Sequence, residues 1–359
     1  MKITRHVSRK RGLPILIGLS LLAAFAPLAP ASAEPGSLTG AGATFPYPIY
    51  SKWFDMYHEK TGIEINYQSI GSGGGIQQIK AGTVDFGASD AALSDARLKE
   101  MPRRVLHFPT VVGAVVIAYN LPSVRQPLNL SSEVISGIYM GKITTWNDKR
   151  IAAMNPGVAL PGAPILPVHR SDGSGTTNIF TTYLSAVNGP WKEMVGANTS
   201  VSWPVGIGGK GNEGVAGLVR QTQGAIGYVE LAYAKQNKFP VAHVRNRSGK
   251  FIEPTLASTT AAAQGAAPML AKDVRFPIVN SPAADAYPIC GLTFLLVYQD
   301  QKNPDKAHAL AGFIDWAIHD GQSVAPTLDY APLPDAVVKV NEASLRKLTI
   351  AGKPLLANR

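Results

Sequence analysis

Hydrophobic residues recur along this chain in two alternating rhythms. Tyr50, Trp53, Phe54 and Tyr57 fall at i, i+3, i+4 and i+7 and predict one buried face of a helix, which Gly62 stops. Ile63, Ile65 and Tyr67 then alternate with polar residues, as a strand does. After "GSGGG" (71–75) helical spacing returns with Ile76 and Ile79, and Val84, Phe86 and Ala88 alternate again. "TVVGAVVIAY" (110–119) is apolar throughout, the pattern of a strand buried on both faces. A second unit opens near Ile165. "ILPVHR" predicts a strand, a glycine loop follows, and Ile179, Phe180, Tyr183, Leu184 and Val187 share one helical face. "AIGYVEL" (225–231) and "GLTFLLVYQD" (291–300) predict further strands, the latter leading into a helix with Phe313, Trp316 and Ala317 on one side. The Ala-, Thr- and Ser-rich segment 254–272 predicts a mobile surface helix or connector. No fixed-period repeat or heptad occurs. This rhythm predicts an α/β protein of two lobes, each a mainly parallel sheet flanked by helices. The chain crosses between the lobes more than once, with 110–119 and 291–298 as hinge segments.

Composition separates the first 33 residues from the rest. Lys2, Arg5, Arg9, Lys10 and Arg11 form a basic head, Leu13 to Ala26 is apolar, and Ala31-Ser32-Ala33 has the small-x-small form of a cleavage site. These are the parts of a secretory signal peptide, and the apolar run is too short for a membrane span. The mature chain is therefore expected to begin at Glu34. Without the leader's five basic residues the net charge falls from +10 to +5. That surplus forms no basic run or aromatic-interleaved stripe, which argues against nucleic acid but suits a small anion. With 45% apolar and 16% charged residues the chain is no disordered polymer, and 359 residues suffice for two domains. Cys290 is the single cysteine, so no intramolecular disulfide forms, and none follows the leader to take a lipid. A soluble periplasmic protein is the expectation. The apolar run after Cys290 predicts a buried, inert thiol.

Three stretches share one layout of glycines and hydroxyl residues before a helix: "GAGATFPYP" (40–48), "IGSGGGIQQ" (70–78) and "RSDGSGTTNIF" (170–180). Helix N-termini present N–H groups without intrahelical partners and favour negative charge. Each stretch alone is also an ordinary capped turn. The third adds Arg170, whose guanidinium can grip two oxygens of a tetrahedral anion, with Asp172 as salt-bridge partner or orienting group. Asp90, in "DFGASDAALSD" (85–95), follows a predicted strand and is either a helix cap or an acceptor for a protonated ligand oxygen. Rival chemistries find little support. There is no P-loop, GxSxG or HExxH motif, and "GSGGGI" lacks the third glycine of a dinucleotide fingerprint. The mature chain's six histidines (58, 107, 169, 243, 308 and 319) show no metal spacing and read mostly as surface residues, although His169 adjoins Arg170. Serine catalysis at Ser72 or Ser174 lacks a convincing base.

Taken in order, "LTGAGATFPYPIYSKW", "GSGGGIQQIKAGTVDFGASDAALSD", "FPTVVGAVVIAYN", "GKITTWND", "RSDGSGTTNIFTTYL", "GIGGKGNEGVAGLV", "GAIGYVE" and "LDYAPLP" closely resemble the phosphate-binding proteins of bacterial phosphate ABC importers. The resemblance covers nearly the whole mature chain. It implies a two-lobed periplasmic solute-binding fold (type II) that closes over inorganic phosphate, with lobe I at 34–112 and 285–359 and lobe II at 113–284. It implies no cofactor and no catalysis, a monomer, and delivery of phosphate to inner-membrane permease subunits. The implied contacts are Thr44 and the backbone N–H of Phe45, Ser72, Asp90, Arg170, Ser174, the N–H of Gly175, and Thr176, with Asp172 bracing the arginine. Gly73 stands where some relatives have serine. The alternatives are a receptor for sulfate or molybdate, a secreted phosphatase or esterase, and a surface adhesion protein.

Overall fold

The computed structural model describes residues 37–356. The leader and its cleavage site lie outside them. The centre of the protein is an eight-stranded sheet: β1 (Leu38–Gly42), β2 (Ile65–Ser69), β3 (Phe86–Ser89), β4 (Val105–Tyr119), β5 (Leu166–Arg170), β6 (Ile207–Gly209), β7 (Ala225–Glu230) and β8 (Cys290–Tyr298). The spatial order is β2-β1-β3-β8-β4-β7-β5-β6. β1 pairs parallel with β2 and β3, and β5 pairs parallel with β6 and β7. Between these parallel halves, β4 and β8 run antiparallel to each other and to their outer neighbours. An uninterrupted apolar run carries no directional information, so the sequence alone leaves this reversal unseen.

β4 is the connection between the halves. Its first ten residues, Val105 to Ala114, pair with β8, and Val115 to Tyr119 pair with β7. All fifteen residues are buried, as a continuous apolar run requires. The expected lobe boundary at 112/113 falls inside this strand.

Helices cover both halves: α1 (Tyr47–Thr61), α2 (Ser72–Ala81), α3 (Gly175–Val187), α4 (Gly211–Gln221), α5 (Leu256–Leu270) and α6 (Pro304–Ile318). The predicted faces pack as expected. Phe54 and Tyr57 of α1 meet Phe313 of α6 with ring centroids 5.5 and 5.3 Å apart. In the other half, Phe180 of α3 stacks on Tyr228 of β7 at 4.4 Å. α5 is the helix that the segment 254–272 allowed, but it has a buried face rather than lying loose on the surface. A Thr255–Ser258 capping box starts it, and Thr259, Ala262, Ala263, Ala266 and Leu270 are buried. Its buried stripe is mostly alanine and threonine, so the face is chemically faint but flat enough to lie close against the protein.

Candidate functional site

The site lies beyond the carboxyl ends of β1, β3 and β5, where open α/β sheets leave a crevice. β1 and β3 converge tightly. Gly42 has φ 148°, and a Cβ there would sit 2.0 Å from the Ala88 carbonyl oxygen. The chain therefore turns directly from β1 into Thr44 and Phe45, both buried, before α1 begins. Pro48 suits the first turn of that helix, which has no side-chain cap and no acidic residue there.

The Thr44 hydroxyl oxygen accepts from the Asn212 backbone N–H at 3.2 Å and from its side-chain amide at 2.8 Å. Ser72, fully buried at the start of α2, accepts from the Asp90 N–H at 3.2 Å and the Gly175 N–H at 3.0 Å. Gly73 N–H donates to the Gly173 carbonyl at 2.8 Å, so the two glycine loops touch. A Cβ on Gly175 would lie 2.5 Å from Asp90 and Ser72. Serine at 73 would bring its Cβ within 3.0 Å of Gly173 Cα. Glycine is the residue that permits this approach.

From β5, the Arg170 side chain is only 1% exposed. Its Nε and Nη2 donate to the two carboxylate oxygens of Asp172, at 2.7 and 2.5 Å, and Nη1 donates to Thr176 Oγ1 at 3.2 Å. Three of the five guanidinium N–H bonds are engaged and two remain. Asp172 also accepts the Gly211 N–H at 3.0 Å. Burial works to raise this carboxyl, but the hydrogen bonds and charge of Arg170 outweigh it, and Asp172 sits below the usual carboxylate range. Ser174 caps α3, its hydroxyl oxygen accepting the Thr177 N–H at 3.0 Å.

Asp90 contrasts with all of these. It is 5% exposed, and its Oδ1 is buried without a hydrogen-bond partner. Burial pushes the carboxyl up to about 7, although Thr293 and Arg170 pull it back. Thr293, on the neighbouring β8, presents a hydroxyl that likewise meets no partner with hydrogen-bond geometry. Asp90 Oδ1, the Thr293 hydroxyl and Glu230 Oε1 are thus buried polar atoms without partners beside the cluster.

The PBP superfamily domain matches residues 29–320. The Phosphate-binding protein PstS of Pasteurella multocida is 46% identical over 308 residues, covering 86% of this chain and 89% of that protein. That of Haemophilus influenzae is 46% identical over 307 residues, covering 85% and 91%. That of Methanocaldococcus jannaschii is 38% identical over 325 residues, covering 83% of each chain. This chain belongs to the PstS family of phosphate-binding proteins. Two solved structures share the PstS fold with it at lower identity. One is a high-affinity periplasmic phosphate-binding protein, with TM-score 0.69, 23% identity, and 86% of this chain and 93% of that one covered. The other is the phosphate-binding protein of Stenotrophomonas maltophilia, with TM-score 0.66, 21% identity, and 86% and 93% covered.

In this PstS chain the structure gathers Thr44, Phe45, Ser72, Asp90, Arg170, Asp172, Ser174, Gly175 and Thr176 into one largely buried, hydrogen-bonded cluster. Residue-by-residue reading misses Asn212, Tyr228 and Thr293. Asn212 lies inside the motif "GIGGKGNEGVAGLV", but nothing in its spacing announces a side chain that reaches Thr44 and Thr176. Tyr228 Oη accepts the Arg170 N–H at 3.0 Å and pairs with the Thr177 hydroxyl at 2.6 Å, so it locks the end of β5 to α3. His169 stacks on Trp203, with centroids 4.8 Å apart and planes at 10°. His107 is not the surface residue expected. Burial holds it neutral, down to about 4, and its Nε2 accepts the Leu93 N–H at 3.0 Å. Cys290 is buried, which pushes its thiol well up and leaves it unreactive. Among the described residues no group of His, Cys, Asp or Glu could hold a metal ion, and no helix is long and apolar enough to cross a membrane.

Proposed function

We propose that this chain binds inorganic phosphate in the periplasm, in the crevice between its two halves, and delivers it to an ABC-type importer. One observation carries the reading: donors converge around Arg170, while Asp90 Oδ1, a buried carboxylate oxygen, has no protein partner. Phosphate in neutral water has bare oxygens for the donors and keeps at least one hydrogen for the acceptor. Sulfate and molybdate bring no hydrogen, so their lone pairs would oppose those of Asp90 where water cannot screen them. The names of the relatives support the same ligand.

The proposed contacts are the hydroxyls of Thr44, Ser72, Ser174 and Thr176, the N–H groups of Phe45 and Gly175, the Arg170 guanidinium and the Asp90 carboxylate. Gly175 N–H, which donates to Ser72 here, is shared with the anion. Asp172 holds the guanidinium in plane. Charge-assisted bonds contribute roughly 1.5–3 kcal/mol each, so about ten of them exceed the ~8 kcal/mol of a micromolar site. Stripping water from the anion offsets most of that surplus.

Lobe I comprises 34–112 and 285–359, lobe II 113–284, and ligand contacts from both favour the closed form. The mature protein is a monomer cleaved after Ala33 and presents its closed form to inner-membrane permease subunits. It binds and releases rather than reacts. Titration calorimetry of the mature protein with phosphate, arsenate and sulfate tests this. Phosphate and arsenate bind and compete while sulfate gives no heat; equal affinity for sulfate contradicts the reading.

A further inference from the structure

Two of the hydroxyls at the crevice, Thr44 and Thr176, belong to opposite halves of the molecule, and one fully buried side chain reaches both. Asn212, in the first turn of α4, places Nδ2 at 2.8 Å from Thr44 Oγ1 and 3.1 Å from Thr176 Oγ1. The orientation of its amide is dictated from behind. Oδ1 accepts the Glu230 N–H at 2.9 Å, a task only the oxygen can perform, so the nitrogen must face the threonines.

Each threonine oxygen receives a second donor. The Asn212 backbone N–H reaches Thr44 Oγ1 at 3.2 Å, and Arg170 Nη1 reaches Thr176 Oγ1 at 3.2 Å. A hydroxyl has two lone pairs and one hydrogen. With both lone pairs filled by N–H donors, only the hydrogen remains to be offered. We propose that Asn212 is a positioning residue of the anion site: it makes Thr44 and Thr176 obligate donors and links the two halves at the ligand. This rests on the phosphate reading above. Asn212 touches no ligand atom itself; it acts by removing the alternative in which a threonine accepts rather than donates. Bare oxygens of the anion are then met by hydrogens from both sides, and the Asp90 carboxylate remains to take a hydrogen.

A double-mutant cycle on the full mature chain, read by phosphate titration and thermal melting, tests this. Asn212→Ala is expected to weaken phosphate binding roughly 10–100-fold, the range for bonds to a charged group. In a Thr44→Val background the same substitution should cost at least about 3-fold less, because one of its two clients is gone. An equal cost in both backgrounds would mean that Asn212 merely ties α4 to β7, and overturns the inference, as does an unchanged affinity. If Asn212→Ala does not fold, Asn212→Ser retains a hydroxyl for the Glu230 N–H and enters the same cycle with the same criteria. A wild type that fails to bind phosphate sinks the phosphate reading and this inference together. A wild type that binds, with Asn212 variants unaffected, sinks the inference alone.

Discussion

Two aspartates stand beside the same crevice and behave oppositely. Asp172 lies where it can be satisfied: Arg170 grips both its oxygens, Gly211 N–H adds a third bond, and its side chain keeps 12% of its exposure. Asp90 is sealed between β3 and β8, with one oxygen left unpaired. The first is held below the usual carboxylate range and the second is pushed up to about 7. Identical chemistry has been assigned two tasks by environment alone. Asp172 completes the arginine, and its needs are met within the protein. Asp90 has a need that the protein leaves open, and on the proposed reading it is the group that distinguishes one anion from another.

The sharpest way to break the contrast is to remove the cation that Asp172 serves. Arg170→Ala leaves a carboxylate facing the anion and is expected to weaken phosphate binding by at least roughly 1,000-fold, measured by titration calorimetry. Asp90 offers a test without any ligand. Its folded-state carboxyl is raised, so the folded chain holds that proton more tightly than the unfolded chain does. Stability is therefore lost as pH rises from 3.8 through about 7. Asp90→Asn removes the buried charge, and thermal melts should show a gain of up to roughly 4 kcal/mol at pH 8 that vanishes near pH 4. Asp172→Asn should do the reverse and by less. Its ligand-free form loses about 2–3 kcal/mol because Arg170 is left buried with a weaker partner. Its phosphate affinity falls only about 3–10-fold, since the anion replaces the missing charge.

Much of this arrangement is legible in the sequence itself. Helix faces such as Tyr50, Trp53, Phe54 and Tyr57 announce themselves because a wide apolar stripe has one physical meaning. The three loops announce themselves only together: any one reads as a capped turn, whereas three in one chain, one of them with an arginine, point to a shared site. Arg170 and Asp172, two residues apart, can be paired on sight. Asn212 cannot, because its role depends on α4 meeting the starts of α1 and α3, a tertiary event that leaves no local pattern. Thr293 comes beside Asp90 only because β8 runs antiparallel to β3, pairing Ser89 with Phe294. α5 is obscure in sequence for a related reason: alanine packs through its smallness, and smallness carries no hydrophobic signature. Residues of the site that act through backbone geometry or charge are readable, and those that act through a neighbour are not.

The account stands or falls on Asp90 as discriminator. Phosphate and sulfate should be titrated side by side against the wild type and Asp90→Asn at pH 8. The account predicts that the wild type binds phosphate and not sulfate, and that the variant keeps measurable phosphate binding while sulfate binding appears, because an amide can donate where a carboxylate only repels. A variant that loses phosphate altogether and gains no sulfate would contradict it.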